Sequence, residues 1–346
     1  MAKSKPSHLL VIRLSAMGDV AMTVPVLIAL TQKYPELKLT VLTRAFFTPI
    51  FSKIPNVTVY SADVKGKHKG ILGLWKLSRE LKGMNIDATA DLHNVLRSTI
   101  LKQFLGLSGI PVVQVDKGRA ERKALTREKD KTFLPLRTTH ERYAAVFNTM
   151  GFPIRLENKH ALKKEPLSED SRTVLNLSNK KYIGIAPFAA FEGKMYPLEL
   201  MEKVIHELQD LGEYQILLFG GGDKERILLT QWEDKFDHCT SIVGKISFSE
   251  ELALISNLSV MLSMDSGNGH LAAMYNVPVI TLWGVTHPYA GFYPFGQKGN
   301  TIVSDRTKFP KIPTSVYGNK FPPGYEKAME TIAPEQILKK VLETLN

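Results

Sequence analysis

Four segments of this sequence set small residues beside charged or hydroxyl side chains, the mixture a site needs to handle phosphates or sugars. The first is Arg13-Leu14-Ser15-Ala16-Met17-Gly18-Asp19, between an apolar run and a helical pattern that starts at Val20. Asp19 has two readings there. It is an N-cap that accepts from first-turn N–H groups, or a general base that takes the proton of an attacking hydroxyl. The second is Met264-Asp265-Ser266-Gly267-Asn268-Gly269-His270-Leu271-Ala272-Ala273. Its small residues admit a ligand to the backbone, and the N–H groups and dipole of a helix opening there suit a pyrophosphate. Ser266 adds a hydroxyl donor and His270 a polar contact; the competing reading is a capped turn with an interior histidine.

The third segment is Gly220-Gly221-Gly222-Asp223-Lys224-Glu225-Arg226. Glycines weaken regular structure, so three after a strand point to a close backbone approach. Asp223 or Glu225 would then meet ribose hydroxyls; a loop capped by Asp223 is the alternative. The fourth runs from Ala186 to Pro197 and offers Lys194 to phosphate or ribose, unless that lysine is merely solvated. A basic stretch, Asp116–Lys131, holds seven Lys or Arg in sixteen residues, among them Arg119 and Arg122 in a loop after a strand exit. With Arg97, His140 and Arg142 they are candidates to face phosphates on an anionic acceptor. For each, the plain alternative is a solvated basic surface.

The elements that must position these residues are legible from periodicity. Short apolar runs at Leu9–Leu14, Lys38–Leu42, Val57–Tyr60, Ile86–Ala90 and Pro111–Val115 alternate with helical patterns such as Val20–Lys33 and Leu72–Leu81. The polar stretch 155–180 interrupts the alternation, which resumes with strands at Tyr182–Ala186, Gln215–Phe219, Val260–Met264 and Val277–Leu282. Continuous apolar strands separated by helices predict parallel sheets covered on both faces. The fold class is therefore α/β: two doubly wound units, over residues 1–165 and 175–325. A last helix, 333–346, is expected to pack back on the first. All four glycine-bearing segments fall at strand carboxyl ends, where such sheets bind ligands.

Composition narrows the function classes. The net charge is +11, but residues 1–170 carry 28 Lys+Arg against 15 Asp+Glu, while the remainder carries 17 against 19. A basic half beside a near-neutral one predicts an anionic partner for the first domain. A helix-turn-helix, zinc-finger or RNP-type pattern is missing, which argues against nucleic acid. Gly18 stands alone, without the Gly-x-Gly-x-x-Gly of a dinucleotide site, which argues against an NAD-dependent oxidoreductase. The single cysteine, Cys239, excludes an intrachain disulfide and a cysteine-based zinc cluster and fits a reducing compartment. No apolar run reaches the roughly 18 residues of a membrane span, so a cytoplasmic protein is expected.

The opening Leu10-Val11-Ile12-Arg13-Leu14-Ser15-Ala16-Met17-Gly18-Asp19-Val20, with Thr23 and Pro25, resembles the start of the lipopolysaccharide heptosyltransferases, glycosyltransferase family 9. Asp265-Ser266-Gly267-Asn268-Gly269-His270-Leu271-Ala272 is similar to that family's Asp-Ser/Thr-Gly-x-x-His-Leu-Ala signature. The resemblance implies the GT-B fold of two Rossmann-like domains facing a cleft, and inverting transfer from an ADP-heptose donor without a metal or other cofactor. It implies Asp19 as catalytic base, and Lys194, Glu225, Ser266, Gly267 and His270 as donor-binding residues. Asn94, Arg97, Arg119, Arg122 and Arg142 would face the phosphorylated lipid A–core oligosaccharide acceptor, with transient contact to the cytoplasmic face of the inner membrane and no nucleic acid partner. The chain departs from the family in the apolar Pro187-Phe188-Ala189-Ala190-Phe191 and in Asn268-Gly269, which bears on the identity of the sugar. A transferase or epimerase of the same fold with a UDP donor is the alternative, followed by a non-enzymatic binder of anionic surfaces or nucleic acid.

Overall fold

The computed structural model describes residues 5–345. They form two compact units, Met1–Gly118 with Thr139–Leu162, and Arg119–Thr138 with Lys163–Asn346. In the first unit the strands are β1 (His8–Ile12), β2 (Lys38–Thr43), β3 (Val57–Ser61), β4 (Ala88–Asp91) and β5 (Val112–Gln114). All pair in parallel, in the order β3-β2-β1-β4-β5. Its helices are α1 (Met17–Ala21), α2 (Val24–Lys33), α3 (Gly70–Lys82), α4 (Leu96–Leu107) and, after an excursion, α6 (Thr139–Thr149). The central strands β1, β2 and β4 are buried over nearly their whole length, which explains why their apolar runs are continuous rather than alternating. The helical pattern over 20–33 resolves into two helices: α1 ends near Met22, Thr23 Oγ1 donates to Val20 O at 2.7 Å, and Pro25 stands in the first turn of α2.

The second unit is built on β6 (Lys181–Ala186), β7 (Tyr214–Leu218), β8 (Cys239–Ser241), β9 (Val260–Met264), β10 (Val279–Trp283) and β11 (Thr301–Val303). Its order is β11-β10-β9-β6-β7-β8, again parallel throughout. The helices are α5 (Arg119–Thr126), α7 (Glu169–Val174), α8 (Leu198–Asp210), α9 (Asp223–Lys235), α10 (Phe248–Ile255), α11 (Gly267–Ala273) and α12 (Pro334–Leu345). In both units the chain winds outward from its first strand, then crosses to wind the other way. The order reverses between β1 and β4, and between β6 and β9. At such a reversal the two flanking strand exits diverge and leave a crevice for a ligand.

Three features differ from the sequence expectation. Residues 119–138 belong to the second unit although the segments on either side belong to the first. They hold the helix α5 where a loop was expected, and Leu136 N donates to Tyr289 O at 2.9 Å. The linker 155–180 contains α7, capped by Ser168, whose hydroxyl accepts from Ser171 N at 3.1 Å. The terminal helix α12 packs within the second unit rather than on the first. Its Ile337 and Val341, four residues apart, join the buried cluster of Met201, Val204, Ile205 and Leu208 from α8. Tyr196 anchors the approach to α12 by donating its hydroxyl to Ile332 O at 2.8 Å. No helix among the described residues is long and apolar enough to cross a membrane.

The turn between β3 and α3 is tied by one carboxylate. Glu80 accepts from Lys67 at 2.7 Å, from His68 Nε2 at 3.0 Å, and from the Tyr60 hydroxyl. The Lys67 bond, then Tyr60, hold its pKa down from 4.5 to about 2. Burial, with Glu80 beside it, pushes Tyr60 up to about 12. A depressed carboxyl stabilises the fold above its unfolded value and loses that contribution as pH falls through the folded one. Stability should therefore decline between pH 4.5 and about 2. In Glu80→Gln the decline over that window should be shallower, measured by thermal melts at stepped pH; equal slopes would remove Glu80 from the acid response.

Candidate functional site

In the first unit the exits of β1 and β4 lie side by side, since Ile12 pairs with Asp91 in register. The chain leaving β1 turns at once into α1, whose N-cap position is Ala16 and makes no side-chain cap. Asp19 thus sits inside the first turn, not at the N-cap, because the helix begins three residues earlier than its periodicity suggests. Its carboxylate is partly exposed and meets Arg13 Nη2 at 2.6 Å. Arg13 is buried and donates Nη1 to Leu92 O at 2.7 Å, so the guanidinium joins the two exits and sets the position of the carboxylate. A charge-assisted contact of that length orients as well as attracts.

His93 lies beside this pair. Its Nε2 is 3.3 Å from Ser15 Oγ, and its buried Nδ1 has no hydrogen-bond partner among the described residues. Burial first, then Arg13, Lys117, Arg97 and Arg44, bring its pKa down to about 3. The imidazole is therefore neutral, and it is ringed by cations. Asn94 serves the turn itself: its φ is 45°, its N–H donates to Asp91 Oδ1 at 3.0 Å, and its amide donates to Val115 O at 2.8 Å. Arg97 stands exposed on the first turn of α4.

Arg142 is buried in α6, with Nη1 3.5 Å from Asp116 Oδ2. Gly118, at φ 58°, leaves room for its guanidinium where any Cβ would collide with it. Arg119 and Arg122 fall in the second unit on α5. Arg119 is exposed, whereas Arg122 is buried with its guanidinium 4.2 Å from the centre of the Phe292 ring. The five acceptor candidates are thus not one cluster on one domain.

In the second unit the exits of β6 and β9 flank the reversal, Ala186 pairing with Ser263. They are joined by an ion pair: Lys194 Nζ is 2.8 Å from Asp265 Oδ2 and donates to Asp265 O at 3.1 Å. Both side chains are largely buried, and Thr286 Oγ1 donates to the same Oδ2 at 3.1 Å. Close backbone packing makes this possible. Val285 N donates to Gly193 O at 2.8 Å, and a Cβ at Gly284 would run into that carbonyl. Lysine has three donors, and two are spent on Asp265, leaving one for a ligand.

Ser266 is the N-cap of α11, yet its hydroxyl makes no cap bond. That oxygen is buried and without a hydrogen-bond partner among the described residues. A buried hydroxyl left unpaired costs roughly 1–3 kcal/mol, a cost that a bound acceptor atom would remove. Gly267 opens the helix, and His270 is buried on it. Glu225, at the exit of β7, turns back to accept from Gly221 N at 2.7 Å, while Gly222 adopts φ 82° as N-cap of α9. Among the described residues no group of three or more His, Cys, Asp or Glu is arranged to hold a metal ion.

Sequence reasoning passed over Arg13, Asp265, Thr286 and His93 as functional groups. The first two were on the page inside the motifs, but only the fold reveals that each is the fixed partner of a candidate. Thr286 had a signal in Gly284, which follows an apolar strand as the other site glycines do.

Comparison with known proteins places the chain in a family. The sequence model of glycosyltransferase family 9 (heptosyltransferase) matches residues 74–320. The lipopolysaccharide core heptosyltransferase OpsX of Haemophilus influenzae is 27% identical over 294 residues, covering 82% of this chain and 80% of that protein. The crystal structure of a family 9 glycosyl transferase from Veillonella parvula superposes with a TM-score of 0.73 at 20% identity, over 98% of this chain and 97% of that one. The Escherichia coli heptosyltransferase WaaC, solved with ADP, gives 0.69 at 20% identity, over 97% and 99%. These structures share the fold, two parallel-sheet α/β units of the GT-B class. Because the family match runs from α3 through the β6 and β9 exits, well over half its length, the chain is a glycosyltransferase and belongs to glycosyltransferase family 9 (heptosyltransferase).

Proposed function

We propose that this protein transfers heptose from ADP-heptose to a hydroxyl of the phosphorylated inner core of lipopolysaccharide, with inversion and without a metal. The observation that carries the donor half is the unpaired, buried Ser266 hydroxyl at the start of α11, next to Lys194 held by Asp265. A diphosphate there would accept from the hydroxyl, from the third Nζ proton and from the first N–H groups of α11. The relatives' activities and the ADP found with the Escherichia coli enzyme favour an adenine nucleotide.

The acceptor hydroxyl attacks the anomeric carbon of the donor sugar, the bond to the diphosphate oxygen breaks, and ADP leaves with the electron pair. Negative charge grows on the departing phosphate, where Lys194 and the fixed N–H dipoles lower its energy without reorganising. Asp19, set by Arg13, takes the hydroxyl proton as the new bond forms. The family match begins beyond Asp19, so its role rests on the opening motif and on its place at the β1 exit. The first unit would meet the acceptor and the second the donor. Arg97 and the cations around His93 suit an acidic sugar phosphate.

Calorimetry with ADP, ADP-heptose, UDP and UDP-glucose, in chelator, tests the reading. Binding of the adenine pair alone is expected. Binding confined to UDP species, or abolished by chelator, would overturn the donor or the metal-free chemistry respectively. NMR of the product's anomeric proton reports inversion.

A further inference from the structure

We propose that the first unit docks on an anionic lipid surface through the amino-terminal half of α3. This surface stands on the exposure and charge of that unit; the proposed acceptor only explains its use. Ile71, Leu72 and Trp75 are 64%, 82% and 47% exposed, although α3 already buries a full apolar face. That face is Leu74, Leu77 and Leu81, spaced three and four apart and packed into the core with Leu101 and Leu105 of α4. The outward residues divide along the axis: the first turn is apolar, and Lys76, Arg79 and Lys82 follow it. Arg79 stacks on Trp75, with 5.5 Å from guanidinium carbon to ring centroid.

Charge selects the partner. Residues 65–82 hold six Lys or Arg and one acid, Glu80, which is engaged by Tyr60, Lys67 and His68. Lys65, Lys69, Lys76 and Lys82 make no ion pair among the described residues. An apolar tip with a tryptophan, flanked by lysines, is the composition of a helix that lies in a headgroup layer. A second copy of the chain fits poorly, because a two-fold contact would set the same lysines against one another.

The tip is held rigidly. Asp63 accepts from Gly66 N at 2.8 Å and Lys67 N at 2.9 Å, and His68 Nδ1 accepts from Asp63 N at 3.1 Å. Gly73 has no room for a Cβ against the His68 backbone, so the first turn of α3 is clamped to that loop. Its place in the fold is also informative. A helix that follows a strand of a parallel sheet starts at the carboxyl edge and runs back, so Ile71, Leu72 and Trp75 lie at the edge that carries Asp19. Leu96, 78% exposed, and Arg97 begin α4 at the same edge. A lipid-borne acceptor would reach the base from the surface on which the unit rests.

The protein carries its own reporter. Of its three tryptophans, Trp232 and Trp283 are fully buried, so Trp75 alone answers to the surroundings. Vesicles of phosphatidylglycerol and phosphatidylethanolamine should shift its emission to the blue and co-sediment the full chain, whereas phosphatidylcholine vesicles should do neither. Raising the salt should weaken the binding. The double variant Ile71→Ser, Leu72→Ser should lose at least about tenfold in vesicle partitioning and keep its turnover on a core oligosaccharide freed of lipid. Emission unmoved by anionic vesicles would overturn the proposal, as would a double variant that sediments like the parent. So would a dimer, seen by sedimentation equilibrium, that the variant abolishes. Plain phospholipid vesicles contain no sugar acceptor, so this result is independent of the proposed transfer activity.

Discussion

Asp19→Asn is expected to lower turnover by about 10²–10⁴-fold, the contribution of a well-placed general base, while donor affinity stays unchanged. The amide keeps the shape of the carboxylate and can still accept from Arg13, now 2.6 Å from Oδ2, so the β1 and β4 exits should remain joined. What the variant cannot do is take a proton. The groups proposed to hold the donor belong to the other unit, so calorimetric donor binding should match the parent. A melting temperature within a degree or two of the parent would complete the pattern of an intact protein with failed chemistry. Turnover within threefold of the parent would assign the base elsewhere, and His93, neutral and next to Ser15, would be the first group to examine.

The second large effect is expected at Lys194, where stability and binding can be separated. Lys194→Met leaves Asp265 largely buried without its cation, which should cost roughly 3 kcal/mol. For a unit of this size that is about 6–12 °C in melting temperature. Donor binding should fall as well, since the remaining ammonium donor is gone. The double variant Lys194→Met, Asp265→Asn removes the stranded charge, so it should recover most of the lost stability. It should not recover donor affinity. That non-additivity is the signature of a pair with two duties, one to the fold and one to the ligand. If donor binding returned with stability, Lys194 would be only a structural counterion.

Much of the architecture was legible because parallel strands buried on both faces write continuous apolar runs. Val260–Met264 was read with its observed limits, and most other strands within two residues. The strands that escaped, β8 and β11, are three residues long and sit at sheet edges. Cys239-Thr240-Ser241 takes its place from pairing with β7 and carries no apolar signal of its own. Helix α4 was missed because Leu96 and Leu107, both exposed, blur its amphipathic period.

The site divides in the same way. Residue type and position at a strand exit are local properties, so Asp19, Lys194, Ser266, Gly267 and His270 could be named from the chain alone. Partnership is not local. Arg13 reaches Leu92, Lys194 reaches Asp265, and α12 returns to α8, each across a gap in sequence that only folding closes. Segment 119–138 makes the point most sharply. Its charge suggested a basic loop of the first domain, yet Arg122 is buried against Phe292, and Leu136 bonds to Tyr289, in the second unit. The local pattern marked most of the elements and the residues that are candidates to carry chemistry. Burial and long-range hydrogen bonding decided which of those residues are held in place, because desolvation acts on the folded surroundings of a charge and not on its neighbours along the chain.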